Sequence, residues 1–304
     1  MASPTRAFRT ADGTNAGAFG PTEWVLLLGA SAVWGSSFLW IAIGLDSLHP
    51  AVIALARTSL GAMALQFFPH ARRRIGRDAW VAILIVAMTG NVAPALLFGF
   101  AEQRISSSVA GMIQAATPLM VLTLAIILQR KSPGPMQVVG LFVGFGGAIL
   151  LASPSLGGAD AERVGVLLVL IAVVGYAISS NLTVPLAQEH GSTTLIAWAL
   201  VVSSVILLPY GLWGLTESTF EWPSVIAVVI LGIFGTGLAR MAFAMLLSRA
   251  GAPRSAMVSY FVPIVAVILG VTFRDDSIGA TELVGLAVVL VAARMISRAE
   301  RRPA

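Results

Sequence analysis

Polar and aromatic side chains occur within long apolar stretches of the sequence, where a lipid bilayer would leave them without bulk water. Trp34 and Ser37 fall in the middle of the first such stretch, and Arg57 falls inside the second. A charged side chain at that depth is costly unless it is paired or hydrated, so it usually marks a pathway or a binding site. A hydrated guanidinium binds an anionic group such as a carboxylate. This pattern therefore predicts non-covalent recognition of a small molecule.

The candidate binding residues share polarity or aromatic character and a position inside an apolar stretch. Tyr176 falls 142 residues after Trp34, at the matching place of an internal repeat, which favours an aromatic pair beside a cavity. Structural interpretations compete, because serines allow close helix packing, arginines extend to the membrane surface, and buried amides hydrogen-bond neighbouring helices. The candidates are Trp34, Ser36, Ser37, Arg57, Asn91, Gln114, Tyr176, Asn181, Arg240 and Tyr260.

Prolines interrupt three of the apolar stretches, at Pro94, Pro118 and Pro263. A proline kinks a helix and frees the carbonyl four residues earlier. That carbonyl must then bind water, a side chain or a substrate, since lipid offers it no donor. The prolines are therefore candidate hinges, and a static kink that improves packing is equally compatible with them.

Acidic residues are absent from the middle of every apolar stretch. Glu23, Asp46, Glu102 and Glu282 all fall near the ends. Proton relays usually need a buried titratable group. The sequence therefore favours facilitated diffusion or coupling through edge groups such as His49, and sodium coupling through backbone carbonyls stays open.

Residue patterns for covalent or metal chemistry are missing from the sequence. The chain has no cysteine, and His49, His70 and His190 are predicted at different membrane edges, so a shared metal site is not expected. It contains no phosphate-binding loop, no Gly-x-Ser-x-Gly and no His-Glu-x-x-His motif. We therefore expect no metal, no cofactor and no enzymatic activity.

Membrane-spanning helices must position the candidate residues. The chain of 304 residues is 57% hydrophobic and only 11% charged, and its mean hydropathy is +0.90, which is too apolar for a soluble domain. Apolar stretches long enough to cross a bilayer recur along it, joined by short loops. The predicted spans are 22–43, 50–68, 79–100, 106–128, 134–152, 164–184, 193–213, 223–247, 253–273 and 279–297.

One segment of the sequence occurs twice, at 108–140 and 253–285, and Pro118 aligns with Pro263 at an offset of 145. Each half then holds five spans, an odd number, so the second half must be inserted upside down. Inverted halves around a midplane cavity are a transporter architecture. We therefore predict an all-α integral membrane protein with ten transmembrane helices as two inverted five-helix repeats around a central cavity. The predicted units are a disordered cytoplasmic tail at 1–21, repeats at 22–152 and 164–297, and a basic cytoplasmic tail at 298–304.

Basic residues predict the orientation of the chain. If the N-terminus is cytoplasmic, 14 of the 19 Lys and Arg residues fall on the cytoplasmic side and three fall outside. Basic residues in short loops mark the cytoplasmic side, so both termini are predicted there, in a bacterial-type inner membrane. The isoelectric point near 10.6 then reflects membrane topology, and no nucleic-acid partner is expected.

Small residues in the fifth span leave the oligomeric state open. Gly140, Gly144, Ala148 and Ala152 form a stripe that permits close helix approach. Such a stripe packs either within one subunit or between two, so a monomer and a homodimer are both compatible with it.

These features together resemble the EamA family of the drug/metabolite transporter superfamily. The resemblance covers roughly residues 22–297 and depends on the repeat, Trp34-Gly35-Ser36-Ser37-Phe38, Arg57 and the two proline segments. It implies a basket of ten helices with a cavity lined mainly by spans 1–4 and 6–9, and with spans 5 and 10 at the periphery. It also implies export of small metabolites, and the sequence is similar to the aromatic amino-acid exporters of that family.

These features predict an inner-membrane carrier that works by alternating access. It is expected to export amino acids, chiefly aromatic or large neutral ones, or related small metabolites. Exporters of other metabolites or of hydrophobic drug-like cations are alternatives, although a cation would need a deep acid. A channel-like facilitator is another. An intramembrane enzyme acting on lipids lacks any catalytic constellation in the sequence.

Overall fold

The computed structural model describes residues 10–15, 17, 19–129, 135–157 and 160–299. These residues form helices and connecting turns, with no strand among them, which confirms the all-α prediction. The helical segments are α1 (Pro21–Leu45), α2 (Pro50–Leu65), α3 (Arg77–Glu102), α4 (Ser107–Gln129), α5 (Pro135–Gly157), α6 (Asp160–His190), α7 (Ser192–Glu217), α8 (Trp222–Ala250), α9 (Ala252–Arg274) and α10 (Ala280–Ala299).

Length and composition make several of these segments suitable to cross a bilayer. Within the described residues, seven are long and apolar enough: α1, α3, α4, α6, α7, α8 and α9. Shorter apolar helices lie in α2, α5 and α10. The count of ten spans and the inversion of the two halves stay predictions.

Observed and predicted boundaries differ most at α6, which is 31 residues long although the predicted span is 164–184. Asp160 and Glu162 occupy its first turn, where acidic side chains stabilise the positive end of the helix dipole. The helix therefore extends beyond the apolar stretch at its polar start, and at its other end it continues through Pro185 to His190.

Contacts between the ends of distant segments define two faces of the bundle. We call the side where α1 begins the N-terminal face and the other side the opposite face. Glu23 near the start of α1 pairs with Arg249 near the end of α8 on the N-terminal face. Asp46 after α1 pairs with Arg274 at the end of α9 on the opposite face.

Two helices pack through small residues at the side of the bundle. A Cβ added to Gly147 of α5 would lie 2.8 Å from Val288 of α10, and one added to Gly144 would lie 2.6 Å from Leu119 of α4. At Gly144 the predicted stripe therefore packs within the subunit. The side chains of Ala148 and Ala152 lie outside the described residues.

Apolar side chains divide between the interior and the outer surface. The main core joins α1, α4, α6 and α9 through residues such as Leu27, Met112, Val169 and Val258. Large apolar side chains such as Phe142 also remain exposed on the surface of the chain. An apolar outer surface is what a bilayer requires.

Residues before α1, within the predicted tail 1–21, make specific contacts. The amides of Thr14 and Asn15 donate to the carbonyls of Ser248 and Arg249 at 3.2 and 2.7 Å. Gln188 donates to the carbonyl of Asp12 at 2.9 Å. We call the described residues from 10 to 20 the N-terminal strap, because they lie across the ends of α6 and α8.

Helix irregularities occur in α3, α4 and α8. A π-helical turn spans Met88–Val92 in α3, and another spans Leu231–Leu238 in α8. A 3₁₀ turn, Gln114–Ala116, interrupts α4. π-helical turns leave the regular hydrogen-bond ladder and often occur at functional sites.

The predicted hinge prolines lie at or near these irregularities. Pro94 follows the π turn of α3, and Pro118 follows the 3₁₀ turn of α4. Pro263 lies inside the regular helix of α9. The carbonyl of Gln114, which Pro118 leaves without its usual donor, accepts from the hydroxyl of Thr117 at 2.6 Å.

Candidate functional site

A cavity lies inside the bundle and encloses about 870 Å³ of empty space, part of it continuous with solvent. Its lining residues come from α1–α4 and α6–α9, and none of those described comes from α5 or α10. This is the arrangement that the family resemblance implies. Six predicted residues besides Ser37 line the cavity: Trp34, Arg57, Asn91, Gln114, Tyr176 and Arg240.

Trp34 is held in place by α8. Its indole Nε1 donates to the carbonyl of Gly235 at 2.9 Å, and its ring packs edge-on against Phe243 with centroids 4.8 Å apart. Gly235 belongs to the π turn, where helix carbonyls lose their regular donors. The irregular turn of α8 therefore orients the aromatic side chain of α1.

The residues beside Trp34 serve helix packing. A Cβ added to Gly35 would lie 2.5 Å from Val265 and 2.8 Å from the carbonyl of Val262, so only glycine permits this approach of α9. The hydroxyls of Ser36 and Ser37 both donate to the carbonyl of Val33 at 2.9 Å. Only Ser37 of these two serines lines the cavity.

Arg240 projects between aromatic rings inside the cavity. Its guanidinium carbon lies 5.2 Å from the ring centroid of Tyr176 and 5.9 Å from that of Trp34. Both distances are within the range of cation–π attraction. The side chain therefore does not extend to the membrane surface, and the aromatic pair predicted from the repeat flanks a cation.

Arg57 is 8% exposed, and its Nε donates to the hydroxyl of Thr236 at 2.9 Å. No carboxylate of the described residues forms an ion pair with it. Arg57 and Arg240 line the same cavity and are close enough to interact electrostatically. The cavity thus holds two guanidinium groups, and no described carboxylate lies within ion-pair distance of Arg57.

Amide and hydroxyl groups add hydrogen-bonding capacity to the cavity. The Oδ1 atom of Asn91 is buried and has no hydrogen-bond partner among the described residues. Such an acceptor suits a donor on a bound molecule, because a buried polar atom without a partner is unfavourable.

Three predicted binding residues lie outside the cavity lining: Ser36, Asn181 and Tyr260. Asn181 is fully buried, and its amide donates to the carbonyls of Val121 and Ala177 at 3.1 and 3.0 Å, which supports the helix-packing interpretation. The physical reason is helical phase. At about 100° per residue, Ser36 lies roughly 160° around α1 from Trp34, so it faces away.

Sequence reasoning missed a polar face on α6. Ser179, Ser180 and Thr183 line the cavity together with Tyr176. Their spacing of i, i+3, i+4 and i+7 is the spacing of one helix face. Applying that periodicity from Tyr176 would have found all three. The other missed residues are Phe38, Ile41, Val86, Phe98, Thr117, Ile196, Phe243, Ala244, Leu247 and Ala256.

Metal ligation finds no support within the described part of the chain, where no group of three or more His, Asp or Glu side chains could hold an ion. The chemistry that the cavity can perform with its own side chains is binding. Its cations suit an anionic group, its rings suit an apolar one, and Asn91 suits a donor.

Known proteins similar to this chain are transporters. A protein of Archaeoglobus fulgidus named an uncharacterized transporter is 23% identical over 91% of this chain and 99% of its own length. An uncharacterized inner membrane transporter of Escherichia coli is 24% identical over 87% of each chain. A probable terminal-alkyne amino-acid exporter of Streptantibioticus cattleyicolor is 24% identical over 90% of this chain and 93% of its own length.

A solved crystal structure shares the fold. It matches with a TM-score of 0.69 and 18% sequence identity, over 92% of this chain and 98% of the other. At that identity the likeness shows the fold alone.

The sequence profile of the EamA-like transporter family matches residues 22–153 and again residues 163–298. Together the two matches cover most of the chain, so the predicted family resemblance is confirmed. The family and the relatives are transporters and not enzymes, as the sequence predicts. A multi-pass membrane protein with a small-molecule substrate follows from this membership. The chain belongs to the EamA-like transporter family.

Proposed function

We propose that the protein is an inner-membrane carrier that works by alternating access. Its proposed substrates are amino acids, chiefly aromatic or large neutral ones, or related small metabolites, which it exports. The observation that carries the proposal is the pair of guanidinium groups, Arg57 and Arg240, in a cavity whose described residues supply no ion-pair partner for Arg57. A substrate carboxylate would neutralise part of this charge and accept charge-assisted hydrogen bonds.

The remaining lining residues suit the rest of an amino acid. Trp34 and Tyr176 flank Arg240, and Phe98 and Phe243 line the same cavity. Aromatic rings contribute large apolar contact area for a side chain. The Oδ1 atom of Asn91 is an acceptor for the substrate ammonium. The Streptantibioticus cattleyicolor relative, a probable terminal-alkyne amino-acid exporter, also supports this substrate class.

The topology that we propose has ten transmembrane helices in two inverted repeats, 22–152 and 164–297, with both termini cytoplasmic. Two separate matches of the family profile, at 22–153 and 163–298, support the two units. The excess of basic residues on the side of the termini supports the orientation. The inner-membrane location is supported by the name of the Escherichia coli relative.

Alternating access requires the halves to move, and we propose Pro94, Pro118 and Pro263 as the hinges. Pro94 and Pro118 lie beside interrupted hydrogen-bond ladders, where a helix bends at low cost. Single-molecule distance measurements across the kinks in Pro118→Ala and the parent chain would test this role. Unchanged opening distances in the variant would reduce the proline to a static kink.

Counterflow in proteoliposomes tests the carrier proposal. We expect saturable exchange of a few aromatic or large neutral amino acids, and much weaker exchange of the matching amines, which lack the carboxylate. Arg57→Gln should lower kcat/KM roughly tenfold or more, since a hydrogen bond to a charged group contributes about 1.5–3 kcal/mol. Arg74→Gln is the matched control, because Arg74 is exposed on the N-terminal face.

Three outcomes would contradict the proposal in different ways. Flux that stays linear at high substrate concentration would indicate a channel-like facilitator. Equal exchange of amines and amino acids would remove the carboxylate from recognition. Exchange of hydrophobic cations alone would indicate a drug exporter.

A further inference from the structure

Glu102 ends α3 on the opposite face, where the sequence predicts a hydrated membrane edge. Both of its carboxylate oxygens are instead buried, and neither has a hydrogen-bond partner among the described residues. Two glycines bring neighbouring helices close. A Cβ added to Gly99 would lie 3.0 Å from Pro50 of α2, and one added to Gly165 of α6 would lie 3.3 Å from the carbonyl of Ala101. The end of α3 is therefore enclosed between α2 and α6.

Substrate contact does not explain this burial, because Glu102 is not among the residues that line the cavity. A buried ionised carboxylate without a donor is among the least favourable arrangements in a protein. Binding a proton removes the charge and provides a hydrogen-bond donor. Glu102 therefore has the surroundings of a group that exchanges a proton as those surroundings change.

Charged side chains near Glu102 come from two parts of the fold. Arg57 of α2, Arg274 at the end of α9 and Asp276 just after it interact with Glu102 electrostatically. Arg274 is engaged by Asp46 through hydrogen bonds of 2.8 and 2.9 Å.

Asp276 accepts hydrogen bonds from the hydroxyl of Ser107 and the amide of Ser108, at 3.1 and 2.9 Å. Arg57 instead donates to the uncharged hydroxyl of Thr236 and also lines the substrate cavity. It is therefore the charge through which Glu102 and a bound substrate influence each other.

Other titratable groups on the neighbouring elements have partners or lie at the rim. His49 at the start of α2 packs between the rings of Phe100, Tyr210 and Trp213. Arg104 donates to the carbonyl of Phe100. The start of α6 carries Asp160, Glu162 and Arg163, of which Asp160 and Arg163 form an exposed ion pair.

We propose that Glu102 is a proton-binding site linked to the substrate cavity through Arg57, an inference that rests on the carrier function proposed above. An ionised Glu102 and a substrate carboxylate are both attracted to the guanidinium of Arg57 and repel each other. Protonation of Glu102 therefore strengthens substrate binding, and by reciprocity substrate binding strengthens proton binding. Substrate and proton cross together: Glu102 takes a proton from water on one side and returns it on the other. The substrate gradient then drives export, and external acid slows it.

Infrared difference spectroscopy on the full chain in lipid tests the proton site without any substrate. The parent should show the carbonyl stretch of a protonated carboxyl shielded from water, at higher frequency than those of the hydrated acids, and this band should appear and disappear with pH. Glu102→Gln should lose this band, and Glu217→Gln, an exposed residue at the end of α7 on the same face, should keep it. A band that persists unchanged in Glu102→Gln would overturn the proposal.

Transport measurements test the link to the cavity. In the parent, lowering the external pH should lower the apparent KM for counterflow about fivefold or more, the smaller end of typical coupling between sites. Glu102→Gln should hold the low-pH value of KM at every pH and stop substrate-driven proton movement, detected with a dye inside the vesicles. Glu102→Asp retains a titratable carboxyl and should retain the pH dependence, which separates protonation from a loss of folding.

Failure of the two proposals gives different results. A parent chain without amino-acid counterflow would contradict the substrate class, while the infrared band would still decide whether Glu102 binds a proton. Counterflow that is present in the parent but shows no response to pH would overturn the link through Arg57 and leave the carrier intact.

Discussion

Each face of the protein carries an arginine–carboxylate pair that joins α1 to the second half of the chain, and the two pairs differ in burial. On the N-terminal face Arg249, which is 46% exposed, binds Glu23, whose side chain is 3% exposed. On the opposite face Arg274 binds Asp46, and these side chains are 34% and 45% exposed. An exposed pair contributes little, because water replaces either partner readily, whereas breaking a buried pair leaves a charge without compensation. The buried carboxylate of Glu23 therefore makes the contact on the N-terminal face the more costly one to break.

The strap adds a second difference between the faces. Arg254 of α9 donates to the carbonyls of Asn15 and Gly17 at 2.8 and 2.6 Å, and its guanidinium lies 4.7 Å from the ring centroid of Phe19. These bonds join residues that precede the first half to a helix of the second half. Opening of the N-terminal face therefore has to release the strap.

The strap also reaches the cavity from the N-terminal face. Ala11 packs against a cluster of apolar residues that includes Leu247 and Ala256, both of which line the cavity. Under the alternating access proposed above, motion between the halves would change access to the cavity and the position of the strap together.

The largest effect that we expect is the loss of the pair whose carboxylate, Glu23, is buried. Arg249→Gln should lower the midpoint of thermal unfolding in detergent at least twice as far as Arg274→Gln, because it leaves Glu23 buried without its cation. The loss in Arg274→Gln should correspond to about 0–1 kcal/mol. Equal shifts in the two variants would show that burial does not distinguish the faces.

Displacing the strap should have the next largest effect. A Cβ at Gly13 would lie 2.4 Å from backbone atoms of Ala250 and Gly251, so Gly13→Val forces the strap away from α8. The chain has no cysteine, so Ala256→Cys alone reports on access to the cavity from the N-terminal face. Its labelling rate by an impermeant thiol reagent should rise by more than about tenfold, since two backbone hydrogen bonds of roughly 1 kcal/mol each are lost.

Gly17→Val is the matched control for the strap variant. A Cβ at Gly17 would meet only the side chain of Asn15, at 3.3 Å. Its effect on the labelling of Ala256→Cys should be small. Similar labelling in both valine variants would argue against the strap as a cover of the cavity.

The smallest effect is expected from the exposed pair. Asp46→Asn removes one partner of Arg274, and Ile41→Cys reports on access to the cavity from the opposite face. Labelling there should rise no more than about fivefold, the factor that corresponds to roughly 1 kcal/mol. A much larger increase would show that the exposed pair is the main contact closing that face, and would contradict the smaller contribution expected from it.

The position of a residue within an apolar stretch predicts whether its side chain is costly in a membrane. It does not predict which of these side chains lie close together in the folded protein. The position of Arg57 and Arg240 inside apolar stretches marks both as candidates, with a side chain directed to the membrane surface as the competing interpretation. Their common cavity arises from contacts between α2 and α8, such as the bond from Arg57 to Thr236. Residues so far apart in the chain come together only through packing, so no local pattern reveals the pair.

Glu102 and the strap are two further features that the local sequence does not predict. The sequence places Glu102 at an edge, and the approach of α2 and α6 buries its carboxylate. Composition predicts disorder for residues 1–21, yet in the described part of that stretch Asn15 bonds to Arg249 and Arg254. Both features depend on partners that local composition does not contain.

The amino-acid sequence by itself determined the membrane class, the all-helical fold and the family, because apolar length, hydropathy and repeated motifs are local properties of the chain. It also named most of the polar residues that line the cavity. Only the tertiary structure decided which helix face each residue occupies, that the two arginines share one cavity, and that Glu102 lies enclosed. Those features follow from helix phase and close packing at glycines, which are set by contacts between distant segments.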